Sequence, residues 1–273
     1  MHALSKDAGY LPTFCRGLLM RLNTYAAVVM LAWCTVSPAQ VVKSVPWNSD
    51  EHRYAVIEAA TKPRAIMVMF IGGNGALNLQ PGGTVVGPNV LIRMRDKIRD
   101  AEVRLIYVDA PVGAHSRSHE AYAKSVRRII EQENKDALPV FVAGISRGTI
   151  SAANVAARVP VAGVILLSVV TGSTYDGTVR GVPIADITAP SLLMLHRKDS
   201  CISSGSEHAL RSFAAEMKKS SVTIAVLDGG TDEGPGVGRA AACHPKSYHG
   251  FNGIDAEVSD TILTWIDKVM GSR

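Results

Sequence analysis

The run Gly144-Ile145-Ser146-Arg147-Gly148 has the spacing G-x-S-x-G, and that spacing has a chemical use. A serine hydroxyl is a weak nucleophile until the chain holds it clear and a base takes its proton. The apolar stretch Pro139-Val140-Phe141-Val142-Ala143 precedes the motif, and the small-residue stretch Thr149-Ile150-Ser151-Ala152-Ala153 follows it. Strand, sharp turn and helix are therefore predicted around Ser146. So tight a turn strains the serine backbone, and only small neighbours two residues away avoid a clash. The N–H of the next residue, Arg147, then points toward a developing oxyanion. Ser146 is the candidate nucleophile for acyl transfer.

The elements needed to position it can be read along the chain. Short apolar runs are predicted as strands over Ala65 to Phe70, Val103 to Val108, Val140 to Ala143, Gly163 to Val169, Ser191 to Leu195 and Val222 to Leu227. Several are apolar on both sides of the alternation, as strands buried on both sheet faces must be. Amphipathic stretches over Ala121 to Glu133, Thr149 to Ala157, Ser206 to Lys218 and Ala256 to Val269 are predicted as helices. This alternation predicts an α/β protein with a mostly parallel central sheet flanked by helices. There is no internal repeat and no low-complexity linker, so residues 40–273 are read as one domain. The glycine-rich segment Gly229 to Gly238 reads as a flexible surface loop.

From about His52 to its end the chain resembles the α/β-hydrolase family, on the strength of the serine motif in its strand–turn–helix setting. The resemblance implies catalytic residues in the chain order serine, acid, histidine. Asp199, closing the strand-to-loop segment Ser191 to Asp199, takes the acid position; Asp186, Asp228 and Asp232 are rivals less well placed against the strands. His249, in Ser247-Tyr248-His249-Gly250-Phe251 before the last helix, takes the position of the base, with His244 as its rival. A second oxyanion donor is expected beside that of Arg147, from the loop Ile71-Gly72-Gly73-Asn74-Gly75-Ala76, at Gly73 or Asn74. Only Thr171 to Pro190 separates the sixth and seventh strands of the family order, too short for a large cap domain. The implied function is a serine hydrolase, a carboxylesterase acting on small esters or exposed polymer ends. The alternatives are a peptidase or acyltransferase on the same triad, or a non-catalytic envelope binding protein that kept the fold.

The N-terminal segment carries a different signal. Arg16 and Arg21 precede the apolar run Ala26 to Val36, and Ser37-Pro38-Ala39 follows. A basic start, a short apolar core and a small-residue exit predict a secretory leader over residues 1–39, with Met20 as an alternative start to Met1. Too short to span a bilayer, the run leaves no stable membrane span after cleavage. Export, to periplasm or medium, makes the remaining pair Cys201 and Cys243 a predicted disulfide joining the acid loop to the base loop.

Other chemistries find little support. The formal charge of +5, from 29 basic and 24 acidic residues, is spread without a basic run, so no nucleic-acid partner is expected. Gly73-Asn74-Gly75-Ala76-Leu77-Asn78 lacks the third glycine of a dinucleotide fingerprint, and the loop at Gly234 to Gly238 lacks the Lys-Ser/Thr ending of a phosphate loop. His115 and His119, four apart, have no obvious third ligand, so neither a metal nor another cofactor is expected. Arg93 and Arg95 are read as surface or supporting groups, or as guides for an anionic substrate.

Overall fold

The computed structural model describes residues 40–110, 117–172, 174, 177–236 and 238–272. The predicted leader, both candidate start residues and His115 lie outside the described residues.

The strands are β1 (Val41–Trp47), β2 (Asp50–Ile57), β3 (Ala65–Phe70), β4 (Val103–Val108), β5 (Val140–Ile145), β6 (Gly163–Leu167), β7 (Ser191–His196) and β8 (Val222–Leu227). They form one sheet in the order β1-β2-β4-β3-β5-β6-β7-β8. The β1–β2 and β2–β4 pairs are antiparallel and the remaining pairs parallel. Every residue of β3, β5, β6 and β7 is buried, which is why these central strands read as unbroken apolar runs. The helices are α1 (Val90–Arg93), α2 (Arg95–Asp100), α3 (Glu120–Glu133), α4 (Gly148–Ala156), α5 (Glu207–Glu216), α6 (Arg239–Ala242) and α7 (Asp255–Gly271). One face of the sheet packs α3, α4 and α5 around Tyr122, Ile129, Ile150, Val155 and Phe213. The other packs α1, α2 and α7 around Leu91, Ile98, Ile262 and Trp265.

Two differences from the sequence reading have clear causes. The hairpin β1–β2 was not expected: His52 and Arg53 interrupt its apolar alternation, and Pro46 argues against a strand interior. Proline is tolerated because β1 is an edge strand. The turn is the residue pair Asn48-Ser49, with Asn48 left-handed at φ 51°. Secondly, β5 continues through Gly144 and Ile145, whereas β6 stops at Leu167 because Ser168 is left-handed at φ 45°.

The chain order reverses around β3, whose neighbours are β4 on one side and β5 on the other. The connections after β3 and β5 leave toward opposite faces, so a crevice opens beyond the carboxyl ends of these two strands. The loop that begins at Ile71 and the turn at Ser146 meet there.

Candidate active site

Ser146 follows β5 directly and is left-handed at φ 52°. Its N–H donates to the Leu167 carbonyl at 3.0 Å, and its own carbonyl accepts from the Thr149 N–H at 2.9 Å, locking the turn into the start of α4. The two motif glycines are steric requirements. A Cβ on Gly148 would lie 2.0 Å from the Phe70 carbonyl oxygen, and one on Gly144 would lie 2.3 Å from that of Gly148. Backbone atoms on both sides of each contact leave nothing to give way. The small residues of α4, all buried, let it pack this close to the sheet.

The candidate acid and base follow β7 and precede the last helix, respectively. Asp199 follows β7 by a tight turn, its N–H donating to the His196 carbonyl at 2.9 Å. Its side chain is fully buried and accepts from the Cys201 N–H at 2.9 Å, the Ser204 hydroxyl at 2.8 Å and His249 Nδ1 at 3.0 Å. Burial opposes the charge on this carboxylate, but the bonds from His249, Cys201 and Ser204 prevail and hold it below the usual carboxylate range. His249 sits in a short 3-10 turn, Tyr248–Gly250, capped by the Ser247 hydroxyl, and its carbonyl accepts from Ser168 Oγ at 2.8 Å. With Asp199 accepting at Nδ1, the imidazole carries its proton there and leaves Nε2 as an acceptor. That Nε2 is buried and has no hydrogen-bond partner among the described residues.

Three ties hold the base loop. The Cys201–Cys243 disulfide, with Cα atoms 4.7 Å apart, joins it to the acid loop. Arg93, at the end of α1, pairs with Asp255 at 2.7 Å and donates to the carbonyls of Pro88, Pro245, Gly250 and Phe251. These bonds occupy its guanidinium, which cross-links the loop before α1 to the loop that carries His249. Arg95 donates to the Val85 carbonyl. The segment after Gly229 is also tied down: Thr231 N–H donates to the Asn252 carbonyl at 3.0 Å and Glu233 N–H to that of Lys246 at 2.8 Å. It is therefore more constrained than its glycine content suggested.

The rivals are occupied elsewhere. Asp186 pairs with Lys219, Asp228 with Arg197, and Asp232 accepts from the Gly234 N–H. His244 Nδ1 accepts from the Lys246 N–H. His119 caps α3 through Nδ1, and among the described residues no three metal-ligating side chains cluster.

Ser146 and His249 line one cavity of about 450 Å³, walled by Ile71, Leu77, Val86, Ile92, Ile145, Pro245 and the Gly72-Gly73 turn. A smaller cavity of about 350 Å³ also borders Ser146 and is lined by Arg147, Thr174, Ser203 and the two cysteines. Gly73 borders both, whereas Asn74 borders neither and its side chain accepts from the Ala76 N–H. A Cβ on Gly72 would lie 3.1 Å from that of Ser146, so this loop runs directly past the candidate nucleophile. Two buried side chains shape the loop and were not identified from sequence. Arg117 donates to the carbonyls of Ile71 and Gly73, and Asp109 accepts from the N–H groups of Leu77, Leu79 and Ala110. A polar residue directly after the apolar β4 was the available signal for Asp109. Between β6 and β7, Val179, Val182, Ile184 and Ile187 are buried against the α3–α5 side of the sheet, so this short connection forms no large cap.

No protein-family model matches the chain, and no curated protein is similar to it. Solved structures are similar in fold. A thermostable carboxyl esterase from Bacillus coagulans is 13% identical, with TM-score 0.57 over 84% of this chain and 99% of that one. A serine hydrolase without a lid from Xanthomonas campestris is 12% identical, with TM-score 0.53 over 70% of this chain and 84% of that one. Proline iminopeptidase from Mycobacterium smegmatis is 11% identical, with TM-score 0.57 over 85% of this chain and 100% of that one. What the chain shares with them is the fold, which in this chain is an eight-stranded, mostly parallel sheet between two helix layers.

Proposed function

We propose that this chain, built on the α/β-hydrolase fold, is a serine hydrolase of carboxylic esters in which Ser146, His249 and Asp199 form the triad. One observation carries the reading: His249 is buried with Nδ1 bound to Asp199 while Nε2 is left unpartnered beside the cavity that holds left-handed Ser146. A buried acceptor without a donor is costly, and a protein that keeps one in a cavity has a use for it. The Ser146–His249 bond closes when substrate binds, as catalytic bonds commonly do.

In the proposed reaction, Ser146 Oγ attacks the ester carbonyl carbon as its proton passes to His249 Nε2. The tetrahedral oxyanion is held by the N–H of Arg147 and that of Gly73, which unlike Asn74 borders both cavities. Collapse breaks the C–O bond, and the imidazolium gives its proton to the leaving alcohol. Water, deprotonated by the same Nε2, then attacks the acyl-serine and releases the carboxylic acid, restoring the serine. Asp199 stays ionised throughout and stabilises the imidazolium. Apart from His249, the described residues lining the larger cavity carry no acidic or basic side chain, and Cys243 is tied up in the disulfide. That favours an uncharged ester over a substrate bearing a free amine or carboxylate. The disulfide fits export to an oxidising compartment, which the leader sequence also supports.

Hydrolysis of short-chain p-nitrophenyl esters by the protein, beside Ser146→Ala, tests the proposal. Loss in the variant of roughly a thousandfold or more, with the fold intact, is the expected result. Labelling of Ser146 by a phosphonate probe without ester hydrolysis would favour the peptidase or acyltransferase reading. No labelling at all would favour a binding protein.

A further inference from the structure

The larger cavity is lined by carbon from Ile71, Leu77, Val86, Ile92 and Ile145, yet besides Ser146 and His249 it holds a further polar side chain of defined orientation, Asn89. Asn89 precedes α1 and caps it: its Oδ1 accepts from the Leu91 N–H at 3.0 Å. An amide whose oxygen is committed to the backbone must present its nitrogen the other way. Nδ2 lies beside Gly72, 3.8 Å from where a Cβ on that glycine would be, and the same point is 3.1 Å from the Cβ of Ser146. The donor therefore lies within about 7 Å of the Ser146 Cβ. It has no hydrogen-bond partner among the described residues. Asn78, the other amide in the wall, is exposed and has no bond that fixes which way it faces.

We infer that Asn89 is a specificity-determining residue, and that the acyl group of the substrate carries a neutral hydrogen-bond acceptor that meets Nδ2. This rests on the serine-hydrolase reading and names its substrate class: esters of apolar acids with an ether, keto or hydroxyl oxygen near the carbonyl. Bond lengths near 1.5 Å and a hydrogen bond near 2.9 Å place that oxygen about two to four bonds from the scissile carbon. The acyl side is assigned to this cavity because the deacylating water must enter where the alcohol has left. The smaller cavity, with Arg147, Thr174 and Ser203 in its wall, is the more polar route for both. An acyl chain without the acceptor leaves Nδ2 stripped of water and unpaired, a penalty that discriminates between chains of equal size.

The test compares p-nitrophenyl 3-methoxypropanoate with p-nitrophenyl pentanoate, which differ by an ether oxygen in place of a methylene. The ratio of their kcat/KM values is measured for the full chain and for Asn89→Ser and Asn89→Asp. Both replacements keep an oxygen able to cap α1, so the helix start survives. The ether-over-alkyl ratio is expected to fall about three- to tenfold in Asn89→Ser, and at least as far in Asn89→Asp, whose carboxylate repels the ether oxygen. Intrinsic reactivity differences between the esters cancel in this comparison. A ratio unchanged in both variants, with hydrolysis still lost in Ser146→Ala, overturns the inference alone. Hydrolysis of neither ester by the wild-type chain overturns the ester-hydrolase reading and the inference together.

Discussion

Two buried histidines in this protein keep similar company and differ in one bond. His52, on β2, is fully buried, with Nδ1 at 2.8 Å from Ser125 Oγ and Nε2 at 2.9 Å from the backbone carbonyl of Asp109. His249 is equally enclosed, with Asp199 on Nδ1, but nothing on Nε2. Each therefore has a serine and an aspartate nearby, and a search for residue types alone would find two candidate sites. The first ring is saturated and packs between Trp47 and Tyr122 as part of the core. The second keeps one nitrogen open at a cavity shared with a strained serine. Trp47 Nε1 and Ser151 Oγ are unpartnered too, so what sets His249 apart is an open nitrogen on a residue that lines the same cavity as Ser146.

The largest effect that could break the contrast is on turnover. His249→Ala is expected to lower kcat/KM for ester hydrolysis by roughly 10⁴-fold or more, while His52→Ala, assayed where it remains folded, stays within about threefold of wild type. Similar losses in both would end the distinction. The next test is of how each histidine is held. Reducing the disulfide, which spans 42 residues, is expected to remove up to about 4 kcal/mol of stability by the chain-entropy model. It should also lower activity about tenfold to a hundredfold as the acid and base loops loosen, leaving hydrogen-exchange protection in β2 largely in place. Unchanged activity in the reduced, folded protein would remove the positioning role of the bridge.

The smallest effect concerns pH. Burial lowers the His52 pKa from 6.5 to about 4 despite the opposing pull of Asp109. The unfolded chain then binds the proton first, so stability is complete above the unfolded value and is lost as pH falls from there toward about 4. The total is on the order of 3 kcal/mol. Asp199, held below the usual carboxylate range, adds its own loss only at still lower pH. Urea midpoints measured from pH 7 to 4 should therefore slope for the wild type and flatten in His52→Gln. An equal slope in both would assign the acid sensitivity elsewhere.

The sequence distinguished these regions unevenly. The central strands β3, β5, β6 and β7 were legible because burial on both faces leaves a continuous apolar run. Ser146 was legible because the steric demands of its turn require glycines at Gly144 and Gly148. Asp199 and His249 followed only from the resemblance and its chain order. The β1–β2 hairpin was hidden by Arg53 and Pro46 and by His52, which it buries with partners. Arg93, Arg117 and Asp109 were illegible in their roles for a different reason. They bind mostly backbone carbonyls and N–H groups, which every residue possesses, so the partners leave no trace in residue type. Arg93 reaches carbonyls more than 150 positions away.

That reach makes two distant stretches of the chain behave as one inheritable unit. Pro88 on one side of the pocket and Pro245 and Gly250 on the other are fastened to the same guanidinium, which does not itself border the pocket. Neither loop can be exchanged, lengthened or grafted into another scaffold on its own without breaking half of this clasp. Variation in what the pocket accepts should therefore arise as paired changes in both loops, with the arginine retained as the pivot around which they drift together.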